Sequence, residues 1–388
     1  MKIAVINSGS SSIKFQLFYM PGAKVLANVL VEKIGEGSSQ ITFKYDDKKN
    51  IISAVIKDHH EGLKKIISLL RELSILKELS VVDAIGHRVV HGGEKFHSAV
   101  LINEDVIKEI ENLIPLAPLH NAANLEGILV ARKKAPLVKQ IAVFDTAFHF
   151  HMPKEAYLYA LPYEMYEKHK IRRYGFHGTS HAFVLKQTAL ELKKDVKELN
   201  IITLHLGNGA SACAIEKGIS IDTSMGFTPL EGLVMGTRSG DVDPAILIYM
   251  QRVLGLSVDE VDAVLNKKSG LLGICGENDV RTIIDSDDEK AKLALNIMIR
   301  RIKKYIGSYM ALLGSVDAIV FSGGIGENSS YIREKVLENL PCGIKMDKFA
   351  NEANATFISN PKSEIKFLVI KTDEELEIAQ ECLKFIKS

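Results

Sequence analysis

Apolar runs that lead into polar turns recur along the chain. Lys2 to Ile6 is one, leading into Asn7-Ser8-Gly9-Ser10-Ser11-Ser12-Ile13-Lys14. Asn200 to Leu206 leads into Gly207-Asn208-Gly209-Ala210-Ser211, and Asp317 to Phe321 into Ser322-Gly323-Gly324-Ile325-Gly326-Glu327-Asn328. Val81 to Ile85, Gln140 to Phe144 and Lys366 to Ile370 read as further buried strands. Helical spacing fills the intervals: His60 to Lys77, Asn103 to Ile114 with an Asn cap, Thr179 to Lys194, Asp243-Pro244 to Leu254, and Asp287 to Leu313. Alternating strands and helices predict an α/β protein. Phe15 to Met20 and Gln40 to Tyr45 pattern as antiparallel strands, so the sheets should be mixed. The first two strand-turn units lie about half a chain apart, as two similar domains facing each other would place them. That spacing puts a boundary near His149 to Pro153.

Composition narrows the class. With 388 residues, 46% hydrophobic and 25% charged, the chain is a globular protein of about two domains. A net charge of +1 gives no field for nucleic acid or an anionic membrane, so an anionic ligand must be held by local groups. The opening residues are too short an apolar run for a signal peptide, and no stretch reaches the roughly 20 apolar residues of a spanning helix. Cys213, Cys275, Cys342 and Cys382 are widely separated, with no CxxC pair, which predicts reduced thiols and a cytoplasmic protein.

Each Gly/Ser-rich turn exposes backbone N–H groups that could surround phosphate oxygens, with Lys14 beside the first, but each is also an ordinary hairpin turn. There is no GxxxxGK[ST] motif, and the GxG of the third turn lacks the last glycine of a dinucleotide fingerprint. Three such turns at strand ends favour a nucleotide cleft. Arg88 and Arg238 sit in Gly-flanked loops, where planar guanidinium forks could hold a carboxylate and a transferring phosphate. A structural salt bridge to Asp241 or Asp243 is the other reading of Arg238. Asp145 follows a strand at its carboxyl end, where ligands bind in α/β proteins. His177 stands before a helix between glycines. Thr372 with Glu375 fits a capping box, which leaves Glu374 free for a cation.

Read together, the segments NSGSSSIKF, GHRVVHGG, APLHN, FDTAFH, ALPYEMYEKHKIRRYGFHGTSH, HLGNGAS, DTSMGFTPLEGLVMGTRSGDVDP, SGLLGICG, GGIGENS and TDEELEIA resemble the acetokinase family. These are the acetate kinases of the actin-like, sugar-kinase and heat-shock-chaperone ATPase superfamily. The resemblance implies two actin-like ATPase domains of duplicated ribonuclease H-like fold with a cleft between them. It divides the chain into 1–149 plus about 376–388, and 150–375. It further implies Mg²⁺-dependent phosphoryl transfer from ATP to acetate, giving acetyl phosphate and ADP, in a homodimer, with Mn²⁺ able to substitute.

By the same resemblance, Asn7 and Glu374 are the magnesium-side residues, and Asp145, His177, Arg238 and Arg88 the catalytic ones. Arg88, Val90, Leu119 and Pro229 surround the acyl group. Lys14, His205, Leu206, Gly207, Asn208, Gly209, Asp279, Val280, Arg281, Gly324, Ile325, Gly326, Glu327 and Asn328 contact the nucleotide. The chain departs from the family pattern at Phe150-His151, Glu277-Asn278, Ser322-Gly323 and Lys371-Thr372-Asp373. A propionate kinase with the same machinery is the near alternative. A non-metabolic actin-like ATPase switch is the distant one, disfavoured by Arg88 and Arg238 beside a small apolar pocket.

Overall fold

A computed structural model of the chain describes residues 1–45, 48–341 and 345–387. The described chain divides into two compact units, Met1–Phe148 with Asp373–Ser388, and His149–Thr372.

The first unit begins with an antiparallel meander: β1 (Lys2–Gly9), β2 (Ser12–Tyr19), β3 (Lys24–Glu32), β4 (Ser39–Tyr45) and β5 (Lys48–Ala54). On its other side β1 runs parallel to β6 (Ala84–Val89). A short antiparallel strand, β7 (Val100–Leu101), closes the edge beyond β8 (Lys139–Phe144), which is itself parallel to β6. The unbroken apolar run of β1 reflects cover on both faces. Ala4 and Ile6 join one core with residues of the His59–Glu72 and Pro118–Lys134 helices, while Ile3 and Val5 pack with Ile378 and Cys382 of the C-terminal helix Glu374–Lys387. Burying one such side chain contributes about 1.5–3 kcal/mol. That helix lies against bare backbone: a β-carbon on Gly86 would come within 2.5 Å of Ile378.

The second unit repeats the plan. An antiparallel trio, β9 (Asn200–Leu206), β10 (Ala210–Glu216) and β11 (Ile219–Thr223), is extended from β9 by parallel β12 (Ala318–Ser322) and then β13 (Lys366–Val369). Counting strands within each unit and leaving out the edge strands of the first, both sheets have the order third, second, first, fourth, fifth, with the same polarities.

Local signals placed several helices well. Asn103 caps Glu104–Asn112 through the Val106 N–H, and Asp243 caps Pro244–Arg252 through that of Ala245. Other expectations need correction. The strand read at Val81 to Ile85 is a 3-10 turn at Leu79–Val81 followed by β6, because pairing with β1 sets the register at Ile3 opposite Ala84. The third turn is a short helix, Gly323–Asn328, entered through a left-handed Gly323 (φ +75°). The first turn is a tight hairpin in which Asn7 pairs opposite Lys14. Asp373, not Thr372, caps the last helix by accepting from the Leu376 N–H at 2.9 Å. Cys213, Cys275 and Cys382 carry free thiols, and Cys342 lies outside the described residues.

His87, 2% exposed in β6, donates from Nε2 to Gln140 Oε1 at 2.9 Å. Burial brings its pKa from 6.5 down to about 4, against the smaller opposing effect of that hydrogen bond. The unfolded chain therefore takes up this proton near pH 6.5 and the native state only near pH 4. The contribution of His87 is complete above the upper value and declines on acidification to the lower one, by on the order of 3 kcal/mol. Urea midpoints across that range should fall less steeply for His87→Gln than for the parent chain. Parallel slopes would show that His87 is not the titrating group.

Candidate active site

The candidate residues fall in both units. In the first unit, Arg88 near the end of β6 and Asp145 just after β8 lie on neighbouring parallel strands, tied by the Asp145 N–H to the Val89 carbonyl. Arg88 donates from Nε to both oxygens of Asp145 at 3.1 Å and from Nη2 to Oδ2 at 2.5 Å. Its Nη1 lies 3.5 Å from Glu374. Burial opposes the guanidinium charge, but the Asp145 and Glu374 carboxylates outweigh it and raise the Arg88 pKa. Glu374 is pushed up to about 7, first by burial, with Arg88 pulling down and the Asp145 and Glu375 carboxylates pushing up. Lys14 is paired at 2.6 Å with Glu375. Asn7 is half-buried in β1.

The loop after β6 is held by buried side chains that sequence reasoning did not single out. Asn124 accepts from the Val90 N–H at 3.0 Å and donates to the Ser8 carbonyl. Asn121 does the same for the N–H and carbonyl of His91, and Thr146 accepts from the Gly92 N–H. Val90 is thereby fixed next to Arg88. Leu119 falls in the Pro118–Lys134 helix, but its side chain lies outside the described residues.

In the second unit, His177 caps the Gly178–Leu192 helix in a left-handed conformation (φ 55°), which turns its ring out of the helix path. It stacks on His205 at 4.3 Å and meets Ser211 through Nδ1 at 2.9 Å. His205 reaches Ser180 at 2.8 Å, which in turn meets Thr372. The long segment from Asp222 to Pro244 folds onto the β9–β10 turn, where the Gly236 N–H donates to the Asn208 carbonyl and a β-carbon on Gly236 would strike Asn208 Oδ1. This brings Arg238 beside His177: a β-carbon on Gly209 would lie 3.5 Å from His177 Nε2 and 3.6 Å from Arg238 Nη1.

The salt-bridge reading of Arg238 fails. Asp241 is engaged by the Gly232 N–H, Tyr305 and Arg301, and Asp243 caps its helix. Among the described residues Arg238 donates only to the Pro229 carbonyl at 3.0 Å and towards Met235 Sδ at 3.7 Å. Burial lowers its pKa with no carboxylate opposing. An uncompensated guanidinium is a place for an anion.

Also in the second unit is an open cavity of 780 Å³, within the size range of small-molecule sites. Gly207, Asn208, Asp279, Val280, Arg281, Gly324, Ile325 and Asn328 line it, as does Asn278 of the departing Glu277-Asn278 pair, together with Ile284, Asp285, Ser329, Ser330 and Tyr331, which were not among the candidates. Asp279 caps the Val280–Ile284 helix and pairs with Arg281, whose hydrogen bonds hold its carboxyl down to about 2. Other nucleotide candidates face elsewhere. Leu206 is core, Gly326 is buried, and Glu327 turns back to accept from the Gly323 and Thr372 N–H groups at 3.0 Å. Arg333, fully buried and lowered to about 10 by that burial, supports the Gly323–Asn328 turn by donating to the Gly326 carbonyl at 2.8 Å. No local pattern around Arg333 signals this role. Among the described residues, no helix is long and apolar enough to cross a membrane, and no cluster of three His, Cys, Asp or Glu offers a metal cage.

The chain is 64% identical over 389 residues to an acetate kinase of Sulfurimonas denitrificans, covering all of both chains. The crystal structure of Porphyromonas gingivalis acetate kinase superposes with a TM-score of 0.93 at 44% identity, covering 99% of each chain. A propionate kinase from Francisella tularensis also superposes at 0.93, with 45% identity and 98% of each chain covered. The two-unit α/β architecture is accordingly that of the actin-like ATPase superfamily. Residues 2–380 match the model of the acetokinase family, and the chain belongs to that family.

Proposed function

We propose that this chain transfers the γ-phosphoryl group of ATP to acetate, reversibly, giving acetyl phosphate and ADP. The observation that carries the reading is the pair His177 and Arg238, two donors flanking one point over Gly209 with no acid to neutralise the arginine. An acetate oxygen attacks phosphorus in line, and the bond to the bridging oxygen of ADP breaks with its electron pair leaving on ADP. Acetate has a carboxylic pKa of roughly 4 and is already ionised, so no general base is required. The residues' work is then positioning and charge neutralisation.

In this reading Arg88 holds the acetate carboxylate, with Val90 beside it just past the end of the same strand. Asp145 locks the Arg88 fork and does not accept a proton. Arg238 and His177 donate to the transferring phosphoryl oxygens, and the cavity beside Asn208 and Gly324 takes the nucleotide, with Ile284, Ile325 and Tyr331 offering apolar surface to its base. The donor set suits Mg²⁺ held largely by phosphates and water: one carboxylate from Glu374 and one amide oxygen from Asn7. The crowding of Glu374 by Asp145 and Glu375 is the kind of negative surplus a divalent cation relieves. When bound, Mg²⁺, or Mn²⁺ in its place, neutralises phosphate charge.

The helix Pro244–Arg252 buries none of its residues and exposes Ile246, Ile248 and Tyr249, continuing into exposed Val253 and Leu254. That face supports a homodimer, and a cytoplasmic location, where ATP is at hand, fits the proposed reaction. The acyl preference rests on the 64% identical acetate kinase. One methylene is worth roughly 1–3 kcal/mol, so propionate should be used less efficiently and butyrate less again. The test is acetate-dependent formation of ADP, with the acyl phosphate trapped by hydroxylamine as a hydroxamate. ADP release indifferent to any added acid would refute the assignment.

A further inference from the structure

Three buried groups behind His177 form a continuous line with it. His177 Nδ1 lies 2.9 Å from Ser211 Oγ, Ser211 Oγ lies 2.8 Å from His181 Nε2, and His181 Nδ1 lies 2.7 Å from Thr203 Oγ1. Ser211, His181 and Thr203 are each at most 1% exposed, so bulk water does not reach them. Burial, with the neighbouring His149 and His205 rings adding to it, keeps His181 neutral with a single N–H.

From this geometry we infer that Thr203, His181 and Ser211 are positioning residues that keep the His177 proton on Nε2, the nitrogen facing Arg238. Only two proton arrangements fit the line. In one, the Thr203 hydroxyl donates to His181 Nδ1, His181 Nε2–H donates to Ser211, and the Ser211 hydroxyl donates to His177 Nδ1. The His177 proton is then on Nε2, where it can be donated to a phosphoryl oxygen. In the other, every bond is reversed: His177 Nδ1–H donates to Ser211, and its Nε2 presents a lone pair that repels the same oxygen. The reversed chain also ends on Thr203 with a hydroxyl proton that has no acceptor, since among the described residues its side chain hydrogen-bonds only to His181. A buried donor left unmade is strongly disfavoured, whereas the first arrangement uses all three protons. The line therefore has a direction, set at Thr203 and delivered at His177.

The inference rests on the phosphoryl-contacting role proposed for His177, but its first test does not. In the full chain labelled with ¹⁵N and free of substrate, the His177 signal is assigned by its loss in His177→Ala. Its Nε2 should resonate as a protonated nitrogen and its Nδ1 as an unprotonated one. In Thr203→Val, which keeps the volume and removes the donor, that pattern should weaken, and kcat should fall on the order of tenfold with KM for acetate and ATP within about twofold. Thr203→Ser should restore both, and Thr203→Val should cost nothing further in a His177→Ala background.

A His177 proton on Nδ1 in the parent chain overturns the relay whatever the activity and needs no variant to fold. Equal losses in Thr203→Val and Thr203→Ser overturn it too, as a packing effect. An Nε2–H signature in a chain without acetate-dependent turnover leaves the relay standing and overturns the proposed reaction.

Discussion

Arg238→Ala lowers kcat at least on the order of 10²–10³-fold while the protein stays folded, the cost typical of losing one preorganised donor to a developing charge. The effect should be this cleanly separated from stability because of what Arg238 touches. Its guanidinium gives one hydrogen bond to the Pro229 carbonyl and a weak contact to Met235, and supports no carboxylate. Removing it strands no buried acid. Arg238→Lys should recover little, since a single ammonium cannot match a planar fork and is hydrated more strongly. KM for acetate should move far less than kcat, because the contact strengthens only as phosphorus transfers. Steady-state kinetics with a thermal melt of each variant checks this, and a near-parental rate in Arg238→Ala would remove the residue from the mechanism.

Asp145→Ala should behave in the opposite way, losing stability and activity together. Asp145 is 1% exposed and takes three hydrogen bonds from Arg88, leaving the 3.5 Å approach of Glu374 and the more distant Glu375 to balance the guanidinium once it is gone. Breaking a buried pair from one side costs about 3–5 kcal/mol. Asp145→Asn keeps the volume and one acceptor oxygen, so it should recover part of the stability but little of the rate, since Arg88 is no longer clamped from two sides. The residual rate of Asp145→Asn should follow the parental pH dependence, because the acetate nucleophile has no proton to give up. Denaturant melts and pH–rate profiles of both variants decide this. Loss of an ionisation from the profile on substitution would make Asp145 a proton acceptor after all.

Much of this could be read from the chain itself because the signals are local. Asn103 and Asp243 mark their helix starts by chemistry within three residues of the cap. Arg88 and Arg238 stand out because a long cation in a Gly-flanked loop is a ready anion contact, although for Arg238 a local salt bridge is an equal reading of the sequence. The alternation in β2 and β4 foretold antiparallel strands, and the uniform apolar run of β1 foretold cover on both faces. Where reading failed, a distant partner had decided the outcome. Glu375, apparently a capping residue, is spent on Lys14 across 361 positions of chain, and Asp373 caps instead. Glu327, in the middle of a glycine-rich motif, turns inward because the Thr372 N–H needs an acceptor.

The amino-acid sequence by itself determined the α/β class, most element starts, the family and the identity of the charged and glycine-rich residues that chemistry would use. All of these follow from side-chain type and spacing within a few turns of backbone. Tertiary structure alone decided which of those charges are neutralised. Arg88 met Asp145, whereas Arg238 met neither of the aspartates beside it in sequence. Tertiary structure alone also lined up Thr203, His181 and Ser211 behind His177. Hydrogen-bond direction and desolvation depend on what surrounds a group in space, and short-range pattern carries no record of that.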